Sequence, residues 1–497
     1  MSHSPDRIPS PNPNPSPRPP PSSKRSKALS LPDLWFKDQS LKNAALKMHL
    51  RSLSATPSAS PPSDTDFSLI TLDPSGPDQT FLLSDELLLQ IFSRLPLSCY
   101  VSNSLVCKRW LHLHGRLVQS LKLTDLSFLN SGRIFYRFPN LTEIDIVNAC
   151  IRTPRNSGIL LTHKNLSIHI GTQFSGTEFI EKSDLLPSDL LDSGLEMIAQ
   201  RYPNLRRISA IGASETGLLS ISNECETLQE LELHCCGDLS LKGISRCRNL
   251  QLVKLIGCFD GFYNSVVSDI GLTILAQGCR RLVKLELCGC EGSYDGIKAI
   301  GQCCQMLEEL TLFDHRMDGG WLAALSFCSN LKTLRLQSCK SIDSSPGLDK
   351  HLGSCHTLEE LHLQQCLMRD EPGAKALFLV CEAVREIVLQ NCWGLKDEVF
   401  GFASLCRRVR LLSLEGCSLL TTGGLESVIL NWKELQRLRV ISSNKIKDSE
   451  VSPALASLFS VLKELKWRPD SRSLLSSSLA GTGLGNKGGR FFKGLKG

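Results

Sequence analysis

The sequence predicts an α/β protein, a right-handed solenoid of stacked strand–helix units preceded by a small all-helical unit. Three observations predict it. The frame L-x-x-L-x-L-x-x-C returns along residues 205–470, cysteines recur at two fixed places in that frame, and residues 81–111 read as short amphipathic helices.

The chain opens on a tail. Thirteen of the 24 prolines fall in the first 66 residues, alternating with Ser and Asn as in Pro9-Ser10-Pro11-Asn12-Pro13. Such a stretch cannot bury enough apolar surface to offset its ordering entropy, so residues 1–78 read as a disordered, Pro/Ser-rich basic tail. Its first 21 residues lack the apolar core of a signal peptide. Lys24-Arg25-Ser26-Lys27 reads as solvated charge or as a short import signal. Residues 31–53 differ in kind. Pro32 and Asp33 suit a helix start, and Leu34, Leu41, Ala45 and Met48 share one face, which reads as a short helix that docks on a partner or on the chain's own repeats.

Residues 81–111 read FLLSDELLLQIFSRLPLSCYVSNSLVCKRWL. Ser84, Asp85 and Glu86 supply a cap and two acids for a helix N-terminus. Leu87, Leu88, Ile91, Phe92 and Leu95 then give a wide apolar face, and Pro96 stops the helix. A second helix carries Val101, Leu105, Val106 and Trp110. Some 40 residues therefore present more apolar surface than such a unit hides by itself, and the repeats, a partner or both must cover the excess.

Further on, Leu121-Lys122-Leu123 and Leu141, Ile144 and Ile146 read as irregular opening strands. The stretch 149–190 interrupts the pattern and reads as a hairpin insertion. The regular frame follows, as in Leu228, Leu231, Leu233, Cys236 and again Leu331, Leu334, Leu336, Cys339. Successive copies begin 22 to 32 residues apart. This is the leucine-rich-repeat period: a short strand points its leucines inward, a turn and a helix such as 269–276 cover it, and neighbours stack because one unit cannot bury its leucines alone.

The frame also explains the cysteines. Seven pairs lie 11 residues apart, from 225/236 to 406/417, and with Cys304 they place 15 of the 21 cysteines at repeat positions. The helix-end member precedes the next leading Leu or Val; the strand-end member turns inward, where its weak S–H serves the backbone of the bend. No C-x-x-C occurs, which argues against zinc. Cys235, Cys288 and Cys303 lie off the frame and are the candidates for redox chemistry.

The net charge of +6 splits into +6 on residues 1–60, +5 on 471–497 and −5 between 61 and 470. Basic tails on a mildly acidic folded part do not describe a nucleic-acid-binding domain. No apolar stretch is long enough to span a membrane. Gly483 to Gly488 matches G-x-G-x-x-G but has neither a preceding strand nor a following helix, so 471–497 reads as a flexible Ser/Gly-rich basic tail. No histidine stands in a metalloprotease or triad-like context.

The repeats resemble the cysteine-containing subtype of leucine-rich repeats. Residues 81–111 resemble an F-box, whose pattern is roughly L-P-x-E-[LI]-[LI]-x-x-I-[FL]-x-x-L followed by slVCKrW. Leu83, Glu86, Leu87, Leu88, Ile91, Phe92 and Leu95 match the first part, and Leu105, Val106, Cys107, Lys108, Arg109 and Trp110 the second; Ser84 stands where Pro is common. The chain thus resembles plant-like F-box/leucine-rich-repeat proteins, with an F-box at 79–120 and repeats over 121–470.

That resemblance implies a non-catalytic subunit of an SCF-type cullin–RING ubiquitin ligase in the nucleus and/or cytoplasm, with no cofactor, metal, nucleic acid or membrane. Its F-box would bind the Skp-family adaptor, and through it cullin and the RING protein, by Leu83, Leu87, Ile91, Phe92, Leu95, Pro96, Val106 and Trp110. Its repeats would hold a protein substrate. The positions between and after the paired leucines face outward from the strands, and Phe313, Arg335, Gln337, His362 and Gln364 there form a connected candidate patch with an aromatic anchor. Two other readings are a non-ligase interaction scaffold and a small-molecule-dependent F-box receptor.

Overall fold

The computed structural model describes residues 79–151, 185–257 and 267–470. The candidate helix at 31–53, both tails and most of the 149–190 insertion lie outside the described residues. At the edges of that insertion, Ile151 and Leu185 form an antiparallel bridge and the Leu186 N–H donates to the Cys150 carbonyl at 2.9 Å.

Three short helices come first: α1 (Asp85–Ser93), α2 (Tyr100–Ser104) and α3 (Lys108–Leu117). The strand β1 (Ser120–Lys122), the helices α4 (Ser127–Asn130) and α5 (Arg133–Arg137) and the strand β2 (Glu143–Asp145) lead into the repeats. Thirteen parallel strands are described in one sheet, each beside its neighbour in sequence. The repeat is in strict register: Leu310, Leu334 and Leu361 pair across three adjacent strands, as do Leu312, Leu336 and Leu363. These leucines are buried, and their core runs without a break from Leu123 to Trp467. The α/β solenoid behind a small helical unit is therefore the observed architecture.

Helices cover the other side of the strands where the frame is complete. Asp269–Gly278 buries Gly271, Leu272, Leu275 and Ala276, and Ser268 caps it by accepting from the Ile270 N–H. Two units depart: between Glu230–His234 and Leu252–Ile256 a short 3-10 helix, Ser240–Ile244, replaces the α-helix, and between Thr333–Gln337 and Glu360–Gln364 only a single turn, Asp349–His351, does.

The cysteines act as punctuation between units. The helix-end thiol of Cys304 donates to the Cys279 carbonyl one unit back at 3.5 Å, and Cys406 to the Cys381 carbonyl at 3.3 Å. The strand-end thiol of Cys366 donates to the Leu336 carbonyl of the previous strand at 3.3 Å. Burial pushes the Cys304 and Cys406 thiols up to about 12, so both are un-ionised, inert groups. Among the described residues no cluster of His, Cys, Asp and Glu is set to hold a metal.

A second periodic device was not read from the sequence. The residue directly after nine of the thirteen strands turns to a positive φ: Gly212, Cys235, Gly289, Asp314, Ser338, Gln365, Asn391, Gly416 and Ser442. Each then donates its N–H one strand onward, as Ser338 does to the Gln364 carbonyl at 2.8 Å and Gln365 to the Gln390 carbonyl at 2.8 Å. The left-handed turn costs a side-chain-bearing residue roughly 1–2 kcal/mol, which the extra ladder bond offsets. This accounts for Cys235, whose off-frame place is this corner.

In the unit that begins at Leu307, His315 takes the cysteine slot. It is buried, its Nδ1 accepts from the Met317 N–H at 3.3 Å, its ring meets Trp321 edge-on at 5.4 Å, and its Nε2 has no partner. Burial pushes its pKa down to about 4. The folded chain holds this imidazole neutral, whereas the unfolded chain protonates it near pH 6.5. Its contribution is therefore complete above pH 6.5 and is lost as pH falls towards 4, about 3 kcal/mol in all. A His315→Cys variant is expected to flatten the stability curve over that window, measured by denaturant unfolding at pH 7, 6, 5 and 4. An unchanged slope would refute the assignment.

Candidate functional site: the helical unit and the strand face

The helical unit is built around a small core of its own. Leu88, Phe92 and Leu113 are fully buried, with Leu83, Leu89, Leu95, Trp110 and Leu117 packed around them. His114 stacks on the Phe92 ring at 4.1 Å, and Trp110 meets it edge-on at 4.8 Å. Desolvation lowers the pKa of His114, which keeps it neutral in that packing.

Caps and one arginine fix the helices relative to each other. Ser84 Oγ accepts from the Leu87 N–H at the start of α1, and Cys107 Sγ from the Trp110 N–H at the start of α3. The Arg109 guanidinium reaches from α3 to the start of α1, where Nε donates to Asp85 Oδ1 at 2.9 Å. Its Nη1 and Nη2 donate to the carbonyls of Thr80 and Leu83 at 2.9 and 2.7 Å. Three bonds from one planar fork lock the angle between the helices.

With the core filled this way, the remaining apolar residues face solvent. Leu87 and Ile91 on α1 are nearly half exposed; Val101, Leu105 and Val106 expose 72, 80 and 59%. The helix α2 buries no residue. Of the eight residues expected to contact an adaptor, Leu87, Ile91, Pro96 and Val106 are exposed on this face, while Leu83, Leu95 and Trp110 are half-buried supports. Phe92 is a correction: at 1% exposure it is the centre of the unit's core and offers no surface. Leu82, Val101 and Leu105 are also exposed and were not among the eight expected residues. Their signal was apolar side chains on a segment too short to bury them.

The strand face brings the five candidate substrate residues together. Thr311, Arg335 and His362 stand side by side on adjacent strands, and Phe313, Gln337 and Gln364 form the next row. Arg335 is already engaged: Nε donates to Glu309 Oε1 at 2.9 Å and Nη2 lies 3.8 Å from Glu360 Oε2. His362 Nε2 lies 3.2 Å from the same Glu360 oxygen. Burial and the neighbouring Arg335 lower the His362 pKa.

Phe313 is the second correction. The last strand position is buried in Ile211, His234, Ile256, Cys288 and Phe313, and it turns half-exposed or exposed only from Gln337 onward. Phe313 closes this buried row and is no aromatic anchor. An exposed aromatic does stand close by in sequence, Trp393, 55% accessible and three residues past Gln390. It lies outside the strand positions to which the sequence reading was confined.

Nearer the start of the sheet, Glu232 sits between His234 Nε2 and Lys254 Nζ, each at 3.1 Å. Burial alone would raise its carboxyl, but the bonds from His234 and Lys254 win and bring it down to about 2. This row is an ion-pair network, with His234 Nδ1 left buried and without a hydrogen-bond partner. Among the described residues no helix is long and apolar enough to cross a membrane.

A helical unit with an uncovered apolar face, joined to a strand-lined solenoid, defines an F-box/leucine-rich-repeat architecture. The F-box-like family matches residues 85–117. Human F-box/LRR-repeat protein 12 is 24% identical over 62% of this chain and 95% of its own length. Arabidopsis thaliana F-box protein SKIP19 is 32% identical over 24% of this chain and 38% of its own. Bos taurus F-box/LRR-repeat protein 4 is 28% identical over 39% and 32%. The chain thus carries an F-box-like region and is similar to proteins named F-box/LRR-repeat proteins.

Proposed function

We propose that the chain is the substrate-recognition subunit of an SCF-type cullin–RING ubiquitin ligase. Its F-box docks on the Skp-family adaptor, which links it to cullin and the RING protein, and its repeats hold a protein substrate. The observation that carries this reading is the cluster of solvent-facing Leu87, Ile91, Val101, Leu105 and Val106 on a unit whose own core is already full. A ligase subunit of this kind works by proximity. It brings a substrate lysine beside a ubiquitin thioester held elsewhere in the complex and supplies no acid, base or nucleophile itself. Such work belongs to the cytoplasm or nucleus. On the repeats, Arg335, Gln337, His362 and Gln364 remain the substrate-facing candidates, with Trp393 replacing Phe313 as the aromatic.

The double variant Leu87→Asp, Ile91→Asp tests the reading. Each leucine-sized side chain buried at an interface is worth about 1.5–3 kcal/mol, so adaptor affinity is expected to fall at least ~100-fold. The repeats should keep their unfolding transition, because neither residue belongs to their core. Adaptor co-purification equal to wild type would sink the proposal.

A further inference from the structure

Where the helical unit meets the repeats, α3, β1, α4 and α5 enclose a cleft of about 730 Å³. Its floor is apolar, with Leu111, Leu121, Leu123, Ile134 and Phe138. Two aromatic rings stand on its rim, Phe128 exposed by 57% and Tyr136 by 75%. His112 stacks on Tyr136 at 4.7 Å. The walls are closely fitted: a Cβ on Gly115 of α3 would stand 1.9 Å from the Arg137 carbonyl oxygen of α5.

The charge around this cleft runs against the charge of the folded part. Lys108, Lys122, Arg133 and Arg137 line it, and no Asp or Glu does. Residues 61–470 as a whole carry −5. Lys122 lies 3.4 Å from Asp145, and the Arg137 guanidinium lies over the Phe138 ring at 4.9 Å. Among the described residues Lys108, Arg133 and Arg137 make no ion pair with a carboxylate. Cations gathered around a low-dielectric floor focus their field on whatever enters. Besides His112, the uncharged polar groups of the lining are the Thr124 and Tyr136 hydroxyls, so the cleft offers few groups to read the polar edges of a nucleic-acid base. Its floor suits leucine- or phenylalanine-sized side chains, and its volume lies in the range of ligand sites.

We infer that this cleft docks an acidic segment of a partner protein, one whose carboxylates flank large apolar side chains. The apolar side chains fill the floor against Phe128 and Tyr136, and the carboxylates meet Lys108, Arg133 and Arg137. None of Leu87, Ile91, Pro96 and Val106 lines the cleft, so it is a surface additional to the proposed adaptor face.

The test is selection from a displayed library of random short peptides on the full-length chain, followed by affinity measurement of the selected peptides. They are expected to be rich in Asp and Glu beside Phe, Leu or Trp, to weaken as salt rises, and to bind Arg133→Glu, Arg137→Glu at least ~tenfold less well. Phe128→Asp should weaken them likewise. Both arginines and Phe128 are exposed, and the milder Arg133→Gln, Arg137→Gln pair with an unchanged unfolding transition guards against misfolding. The Leu87→Asp, Ile91→Asp variant should bind the peptides as wild type does, which separates this proposal from the adaptor reading. It is overturned if no peptide is selected, if selected peptides lack acids, or if the arginine variants bind them equally. Displacement by a single-stranded oligonucleotide would assign the cleft to nucleic acid, and loss of the adaptor from the arginine variants would make it part of the adaptor face; either result also overturns it.

Discussion

Replacing Phe92 by alanine is expected to melt the F-box helices and so abolish adaptor binding without removing a contact residue. Large-to-small changes at fully buried aromatics cost about 3–5 kcal/mol. The unit's fully buried core is Leu88, Phe92 and Leu113, so a loss of this size rivals everything the small unit can contribute by itself. The same truncation strips His114 of its stacking partner, and both ring nitrogens of His114 are buried without a hydrogen bond. Amide hydrogen exchange separates the two routes to lost binding. In Phe92→Ala, protection across 85–117 should collapse, whereas in Leu87→Asp, Ile91→Asp it should persist although the adaptor is lost in both. Full protection in Phe92→Ala together with lost binding would return Phe92 to the contact surface, where its sequence pattern placed it.

That contrast shows what pattern alone conveys. Leu87, Leu88, Ile91 and Phe92 share one wide apolar face, and periodicity treats them alike. Which of them turn inward depends on α3, whose Trp110, Leu113 and His114 lie some twenty residues away and approach at an angle set by the Arg109 fork. The repeats are legible because their information is local: Leu231 and Leu233 are two residues apart, so their side chains share one face of a strand wherever it lies. The same rule misplaced Phe313. Alternation puts it on the outer face with Arg335, but the end of the strand turns towards the corner at Asp314, and a row of buried neighbours from Ile211 to Cys288 takes it in. Trp393 was missed for the converse reason, since loop residues have no period to betray them. The cysteines were read correctly as architecture, and the left-handed corner behind Cys235 was not, because five different side chains besides glycine occupy it.

The carboxylate of Asp269 is expected to couple neighbouring repeats strongly enough for a two-residue cycle to measure. Asp269 opens the helix of one unit, and its side chain accepts from the next unit's Ser293 N–H at 2.7 Å, Ser293 hydroxyl at 2.6 Å and Gly296 N–H at 2.9 Å. Asp238 repeats the pattern on Ser268 and Gly271, and Asp397 on Thr421. The carboxylate reaches so deep because position 296 has no Cβ: one built there would stand 2.3 Å from Asp269 Oδ1. Asp269→Ala leaves three donors without their charged acceptor and should cost about 3 kcal/mol. Gly296→Ala gains up to about 1 kcal/mol of helix propensity, yet it displaces the carboxylate and should be destabilising by about 2 kcal/mol net. Once Asp269 is alanine the carboxylate clash is gone and only Leu272 Cδ1, at 2.9 Å, and the residue-269 Cα, at 3.3 Å, crowd the new methyl, so Gly296→Ala in that background should cost about 1 kcal/mol or less. Gly401, with nothing within 4 Å of its missing Cβ, supplies the control: Gly401→Ala should be neutral or stabilising in either background. Hydrogen exchange over residues 294–303 reads the local stability in all four proteins, and strictly additive costs would show that the aspartate and the glycine do not act as one joint. Because each repeat is held only by its neighbours, weakening one joint should let the array open there first, with protection lost at 294–303 before it is lost in the flanking units.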